Sequence, residues 1–403
     1  MSADSTPQAS LPRVGMLRPV VTLGITQIVG FGTIYYAFGV LVAPLSAELG
    51  ISPTMAYGLL SAGLLAGALT APVAGRVIDL RGARGAMAAG SLACAVAFAL
   101  LALVQGSWSL GATLILVELV APLVLYDAAF AAVAQAVGEA RARRAITLTT
   151  LLGGFASTVF WPFTLLLSDL LGWRGAYLTF AALHLLLCLP LHLSLPRLGA
   201  GGPARDPAPP QFAPLPRALQ PRAMVLLALG LSLSWAVMSA FSAQWVPVMA
   251  AVGLSQGMAV TAGAMMGPAQ VGARVLEMLF AGHRHPMVTA VFAMGCLAAS
   301  VVVLVTAPVG LLSAMIFAVL FGIGQGLATM VRGTVPLALF GLAGYAARLG
   351  RLASLRSLVA AVSPFAMAGS IAALGPWITL WLAVGLALVS LVVMAAVPWR
   401  VRA

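Results

Sequence analysis

The chain has 403 residues, of which 62% are hydrophobic and 7% are charged, and its formal net charge is +12. Soluble domains carry about a quarter charged residues, so we expect lipid rather than water to surround much of this chain. All 21 basic residues are arginine, and they lie in short gaps between apolar runs. This placement excludes a nucleic-acid interface and follows the positive-inside rule of membrane proteins.

The apolar runs predict an all-α membrane protein with about twelve transmembrane helices, each of about 20 residues. The runs at 109–137 and 310–340 exceed the bilayer thickness, which predicts helices that are tilted or project past the membrane. In chain order the predicted spans are residues 20–45, 55–78, 85–105, 109–137, 146–168, 174–195, 223–250, 257–281, 287–307, 310–340, 352–374 and 376–398.

The arginines occupy every second gap and both termini, whereas the alternate gaps contain only Arg174. This asymmetry predicts that both termini are cytoplasmic and that the protein is a multi-pass protein of a bacterial inner membrane. The first 15 residues are polar, so no cleavable signal peptide is expected. The predicted organisation is a tail at 1–19, a six-helix bundle at 20–195, a Pro-rich linker at 196–221, a six-helix bundle at 222–398 and a tail at 399–403.

The two halves repeat each other on either side of the linker. Pro, Gly and Ser recur between residues 44–52 and 247–255 at an offset of 203 residues. Gly-Arg-Val-Ile-Asp at 75–79 is echoed by Ala-Arg-Val-Leu-Glu at 273–277, at an offset of 198. Two matches in the same order predict a duplicated six-helix unit with pseudo-symmetry.

The segment from Gly75 to Arg84 resembles the loop motif of the major facilitator superfamily, in which Gly, three residues and Asp precede a basic segment. It departs from that motif at Leu80 and Ala83. The resemblance implies two parallel six-helix halves and a transporter that works by alternating access. It also implies a gating motif, whose residues here are Gly75, Arg76, Asp79, Arg81 and Arg84, with Arg274 and Glu277 in the repeat.

The same resemblance implies that Asp79 lies against the N-terminus of the eleventh span, near Arg351 and Ser354, and joins the halves when the outside is open. A static anchor is the alternative. Arg76 with Asp79, and Arg274 with Glu277, have the i, i+3 spacing at which helix neighbours pair.

Two further segments can be compared with subgroups of the superfamily. Residues 32–40 are similar to the first span of monocarboxylate and oxalate–formate porters. The fifth span, at 153–162, lacks the Gly-Pro-x-x-Gly-Gly run of drug–proton antiporters.

Three ionisable residues stand out well inside predicted spans, where a charge costs about 2.5–3.5 kcal/mol. Asp127 and Arg332 occupy equivalent spans, and the family resemblance places both beside a central cavity. We predict that Arg332 holds an anionic group, with Asp127 as its counter-ion or as a proton carrier. A fixed ion pair, or residues at the interface, are the alternatives. Glu118 lies about 13 Å from Asp127 on a regular helix, which leaves a proton relay or a packing role.

Polar and aromatic side chains of the first and seventh spans complete the predicted cavity. Interfacial belts and helix-packing hydroxyls would explain the same residues. The predicted substrate-binding set is Arg332, Tyr36, Tyr35, Gln27, Trp235 and Ser239, with Thr26, Thr33, Ser242, Gln244 and Trp245 as further candidates.

The three cysteines and four histidines lack metal-ligand spacing, so neither a metal site nor a cofactor is predicted. No nucleotide-binding loop and no hydrolase motif is found, which argues against ATP drive and against an enzyme. The sequence therefore predicts a monomeric, proton-coupled secondary transporter of a small organic anion. The alternative is an exporter of a toxic or amphipathic compound, such as a drug or an arsenical. The expected partners are the anionic solute, the proton and the lipid bilayer.

Overall fold

The computed structural model describes residues 15–196 and 211–399. Most of the predicted N-terminal tail, much of the linker and the extreme C-terminus lie outside these ranges, including Arg13, Arg197, Arg205, Arg400 and Arg402. We call residues 15–196 the N-terminal half and residues 211–399 the C-terminal half. The helices are α1 (Leu17–Gly30), α2 (Ala37–Leu49), α3 (Pro53–Arg81), α4 (Ala83–Ala102), α5 (Ser107–Val120), α6 (Tyr126–Val137), α7 (Glu139–Gly153), α8 (Ala156–Leu183), α9 (Leu189–Leu193), α10 (Gln220–Ala251), α11 (Gln256–Gly263), α12 (Met266–Leu276), α13 (Pro286–Thr306), α14 (Leu311–Phe340), α15 (Tyr345–Leu374) and α16 (Pro376–Ala395).

Local chemistry explains where several of these helices begin and bend. The Ser52 Oγ accepts a hydrogen bond of 3.1 Å from the Met55 N–H, and Pro53 occupies the first helical position of α3. Helices α1 and α2 are joined by a π-helical turn at Phe31–Tyr36 and form one long apolar segment. Such turns are frequent at functional sites.

The fourth predicted span is interrupted in its middle. Helix α5 ends at Val120, a 3₁₀ turn at Ala121–Leu123 contains Pro122, and Leu125 is extended before α6 begins. Proline removes a backbone donor and ends regular helix. The carbonyl of Val124, freed by the interruption, accepts a 2.8 Å hydrogen bond from the Gln27 Nε2. The extra length of 109–137 is thus taken up by a break, whereas α14 crosses as one continuous helix.

Ten segments of the described chain are long and apolar enough to cross a membrane. The fifth and sixth predicted spans are merged into one segment at 139–193, which changes direction at Gly172, a residue with a φ of +68°. The eighth predicted span is divided between α11, α12 and a π-helical turn at Glu277–Ala281. The all-α membrane fold is confirmed, and the number of twelve stays a prediction.

Buried apolar side chains form three clusters. One consists solely of residues 215–397 and another solely of residues 29–188, so each half has its own core. The third joins residues of the N-terminal half to residues 337–349 of the C-terminal half. This joint core lies beside the helix ends and turns at 81–84, 138–144, 281–285 and 341–348, which we call the arginine face.

Candidate functional site

The broken helix and α15 bring Asp127 against an arginine of the other half. Asp127 lies in the first turn of α6, where the helix dipole favours an anion. Its Oδ2 accepts a 3.0 Å hydrogen bond from Arg356, which is 4% exposed. The hydrogen-bonded ion-pair partner of Asp127 is therefore Arg356, while Arg332 lies within electrostatic range of the same carboxylate. The predicted role of Asp127 as counter-ion of Arg332 stays a prediction. The other carboxylate oxygen, Oδ1, is buried without a hydrogen-bond partner in the described chain.

Sequence analysis missed Arg356 because the eleventh span was predicted to begin at residue 352. That start would leave Arg356 near the membrane interface. The helix begins seven residues earlier, at Tyr345, so Arg356 lies about three turns inside it. A search for every charge within ten residues of a predicted span end would have found it.

Arg332 lies beside this pair and against aromatic rings. Its side chain is 8% exposed, and its Nε has no hydrogen-bond partner among the described residues. Asp127 and Arg356 are both within its electrostatic range. The guanidinium carbon lies 5.1 Å from the Tyr126 ring centroid, 5.5 Å from Phe130 and 5.6 Å from Trp235. We call these three rings the aromatic wall, and cation–π attraction holds the guanidinium against it.

Arg274 is the third buried arginine at this site, and it joins the two halves. Its Nε donates to the Gly326 carbonyl of α14 at 3.0 Å, and its Nη1 donates to the Thr150 carbonyl of α7 at 3.2 Å. The predicted pairing of Arg274 with Glu277 is wrong, because Arg274 points into the interior whereas Glu277 points to the arginine face. Asp127, Arg274, Arg332 and Arg356 are called the charged cluster below.

Glu277 contacts the N-terminal half at the arginine face. Its Oε1 lies 2.6 Å from Arg143 Nη2 and accepts a 3.2 Å hydrogen bond from Thr289. Arg143 also donates to the carbonyls of Ala281 and Arg284. The acid of the repeated motif therefore joins α7 to the segment that follows α12.

Asp79 of the N-terminal half makes the corresponding contact with the C-terminal half. Its two carboxylate oxygens accept hydrogen bonds from the N–H groups of Ala346 and Ala347, at 3.1 and 2.7 Å, in the first turn of α15. The predicted contact with the start of the eleventh span is thus present, although Ala346 and Ala347 occupy the place expected for Arg351 and Ser354. A Cβ on Gly75 would lie 2.2 Å from the Ala346 carbonyl oxygen, so only glycine permits this approach.

The basic residues of the motif lie apart from this contact. The side chains of Arg76 and Arg81 are exposed, and Arg84 is half-buried beside a shallow surface cavity. Asp79 forms no ion pair with Arg76 among the described residues, so the pairing that their i, i+3 spacing suggested is not found.

The remaining predicted cavity residues divide into two groups. Trp235 lies between Arg332 and Arg356, at 4.8 Å from the Arg356 guanidinium carbon. Tyr36 is half-buried and within electrostatic range of Arg274, whereas Tyr35 is exposed and packs its ring edge-on against Tyr36. Gln27 instead bonds the Val124 carbonyl at the break between α5 and α6, and Ser239 bonds the Ala360 carbonyl of α15, so both contribute to packing between segments.

Glu118 lies on α5, on the other side of the helix break. The 13 Å separation predicted from Asp127 assumed a regular helix and therefore does not apply. The side chain is 6% exposed and packs against α3, where a Cβ on Gly63 would lie 3.2 Å from its Cγ. No described residue donates a hydrogen bond to it or forms an ion pair with it.

Within 15–196 and 211–399, no group of three His, Cys, Asp or Glu side chains could hold a metal ion. The site consists instead of three arginines, one carboxylate and aromatic rings.

Comparison with known proteins gives a consistent result. The sequence model of the Major Facilitator Superfamily matches residues 23–364. The human organic anion transporter MFSD10 (TETRAN) has a similar structure, with a TM-score of 0.72 and 16% identity over 94% of this chain and 100% of that one. The Escherichia coli fucose:proton symporter FucP is similar with a TM-score of 0.69 and 13% identity, over 95% and 99% of the two chains. For the proton:xylose symporter XylE the TM-score is 0.67 and the identity 12%, over 95% and 96%. No curated protein sequence matches the chain.

Proposed function

The chain belongs to the Major Facilitator Superfamily and is a multi-pass membrane transporter, and from this premise we propose that it carries a small organic anion, driven by a coupled proton. The charged cluster is the observation that supports the anionic substrate. It contains three arginines and one carboxylate, and Asp127, Arg332 and Arg356 lie in segments long and apolar enough to cross a membrane. Buried charges are costly unless they are paired, and a solute anion would compensate the excess positive charge.

The position of Arg332 supports its role as the substrate-binding cation. Arg356 is engaged by Asp127, and Arg274 by two backbone carbonyls. Arg332 has an Nε without a partner, and its guanidinium group lies against the aromatic wall. A guanidinium group binds carboxylates through two parallel hydrogen bonds, and the rings would contact the apolar part of an organic anion.

Glu118 is our candidate for the coupling proton. Asp127 is held ionised by its contact with Arg356, so it acts as a counter-ion. Glu118 is buried and has neither a cation nor a donor beside it in the described chain. A carboxylate in such surroundings is neutral when the membrane interior is dry, so it would take up a proton in one state and release it when water reaches it.

The structural neighbours are compatible with this proposal. MFSD10 is described as an organic anion transporter, and FucP and XylE as proton symporters. At sequence identities of 12–16%, the likeness to these proteins supports a shared fold alone. We further propose that the protein acts as a monomer in a bacterial inner membrane, with the arginine face and both termini in the cytoplasm.

The anion proposal is tested by thermal unfolding of the purified full chain with matched solutes. Lactate, benzoate and succinate are compared with lactamide, benzamide and succinamide, which have similar shapes and no charge. At least one carboxylate should raise the melting temperature while its amide does not, and Arg332→Gln should abolish the rise. Arg222→Gln, an exposed arginine of α10, is the control. Stabilisation by amides or by cationic drugs alone would refute the anion proposal and favour the exporter.

Proton coupling is tested separately in vesicles. We expect Glu118→Gln to retain exchange of the anion across the membrane but to lose accumulation driven by a pH gradient. Loss of both activities with folded protein, or loss of neither, would reject Glu118 as the proton carrier.

A further inference from the structure

Arg274 differs from the other arginines of the charged cluster in its hydrogen-bond partners. Both are neutral backbone carbonyls, Thr150 of the N-terminal half and Gly326 of the C-terminal half. Its side chain is buried, and no described carboxylate contacts it. The contact is therefore a bond between the halves that leaves the arginine charge uncompensated.

Two consecutive glycines make room for this contact. A Cβ on Gly154 would lie 3.1 Å from the Arg274 Nη1, and a Cβ on Gly153 would lie 2.4 Å from the Tyr126 hydroxyl. The Tyr126 hydroxyl donates to the same Thr150 carbonyl at 3.4 Å. Gly153 and Gly154, at the interruption between α7 and α8, thus leave space for the guanidinium of Arg274 and the phenol of Tyr126. We call this pair of residues the glycine seat.

The same tyrosine links the glycine seat to the substrate-binding arginine. Its ring lies under Arg332 at 5.1 Å, while its hydroxyl shares an acceptor with Arg274. Arg274 and Arg332 are also within electrostatic range of each other. An anion bound at Arg332 would therefore be close enough to attract Arg274.

We propose that Arg274 is the residue through which a bound anion releases the central contact between the two halves. This inference rests on the proposed transport of an anion. A hydrogen bond between two charged groups is stronger than one between a charge and a carbonyl. An anion at the charged cluster therefore competes for Arg274, and its guanidinium leaves the Thr150 carbonyl. The halves then lose the bond nearest the substrate and can separate at the arginine face.

Distances between spin labels at the arginine face test this inference. The labels are attached to Leu80→Cys and His283→Cys, which are exposed positions in opposite halves, while the three native cysteines are buried. Without solute, Arg274→Gln should raise the population of the longer distance about tenfold or more, the effect of losing a charged hydrogen bond. Gly154→Ala, whose Cβ would lie 3.1 Å from the Arg274 Nη1, should raise it by a smaller factor. The control is Gly39→Ala, where a Cβ meets nothing within 4 Å.

The same labels are then measured with lactate, benzoate and succinate. In the wild type, a carboxylate that raises the melting temperature should also raise the population of the longer distance, and in Arg274→Gln it should cause no further change. Wild-type distances in both variants without solute, or an unchanged response in Arg274→Gln, would overturn the inference. If no carboxylate stabilises the wild type, the proposed function fails, and with it the release by an anion. The solute-free distances would still decide whether Arg274 holds the halves together.

Discussion

The two copies of the repeated motif, at 75–79 and 273–277, perform related tasks with different chemistry. Asp79 reaches the other half through two backbone N–H groups at the start of α15, whereas Glu277 reaches it through the guanidinium of Arg143. Their arginines differ more, because Arg76 is exposed and Arg274 is buried in the charged cluster. Duplication has thus kept the acid that joins the halves and has let the arginine of one copy move into the site.

The strongest expected effect comes from breaking the ion pair of the second copy. Arg143→Ala leaves the Glu277 carboxylate buried with Thr289 as its described donor. Removing one partner of a buried pair costs about 3–5 kcal/mol, so the melting temperature should fall markedly and the arginine face should open. Arg144→Ala, an exposed neighbour, is the control. Equal melting of the two variants would mean that the pair contributes nothing.

Removal of the acid of the first copy should have a smaller effect. Asp79→Ala removes two hydrogen bonds at a half-buried position, where water can replace the carboxylate, and it leaves no buried charge unpaired. Hydrogen exchange of the Ala346 and Ala347 amides, followed by mass spectrometry, should become about tenfold faster or more. Unchanged exchange would show that the carboxylate does not hold this end of α15.

The close helix contact of the first copy can be tested through its glycine. Gly75→Ala forces α3 and α15 apart, since the new Cβ would lie 2.2 Å from a backbone oxygen. Overpacking of this kind costs about 1–3 kcal/mol. Thermal unfolding should show a lower melting temperature than the wild type, whereas Gly39→Ala should melt at the wild-type temperature or slightly above it. Matching melting curves for both would mean that the helices are not in contact here.

The two motif acids, Asp79 and Glu277, show which contacts could be predicted from the sequence and which could not. The apolar runs predicted the membrane helices, and the motif predicted that Asp79 would meet the eleventh span. The partner of Glu277 could not be inferred, because Arg143 lies 134 residues away and local spacing favoured Arg274. A π-helical turn begins at Glu277 and turns the two side chains toward different surroundings. Partners across the halves depend on packing, which spacing within one helix does not report.

The melting temperature should depend on pH through His285, which lies within electrostatic range of Arg143 in the ion pair of the second copy. Burial and the charge of Arg143 lower the pKa of His285 to about 4, while its Nδ1 accepts a hydrogen bond from the Met287 N–H. A histidine held neutral in the folded state contributes stability above its unfolded pKa of about 6.5, and this is lost as the pH falls. The melting temperature should fall as the pH drops from about 6.5 toward about 4, and less so in His285→Gln. His283→Gln, an exposed position, should retain the wild-type slope.

The smallest effect is expected at the exposed arginine of the first copy. Arg76→Ala should change stability by less than about 0.5 kcal/mol, as surface substitutions do. The melting temperature and the exchange of the Ala346 and Ala347 amides should both match the wild type. A loss comparable to that of Asp79→Ala would show that the two arginines of the repeat are more alike than their burial indicates.

The break at Pro122 has a mechanical consequence for the two membrane carboxylates. A continuous helix transmits a tilt along its whole length, whereas a proline and an extended residue interrupt this helix between its two carboxylates. The segments that carry Glu118 and Asp127 can therefore change their mutual angle while each keeps its own backbone hydrogen bonds. Water could then reach one acid while the other stays paired with its arginine.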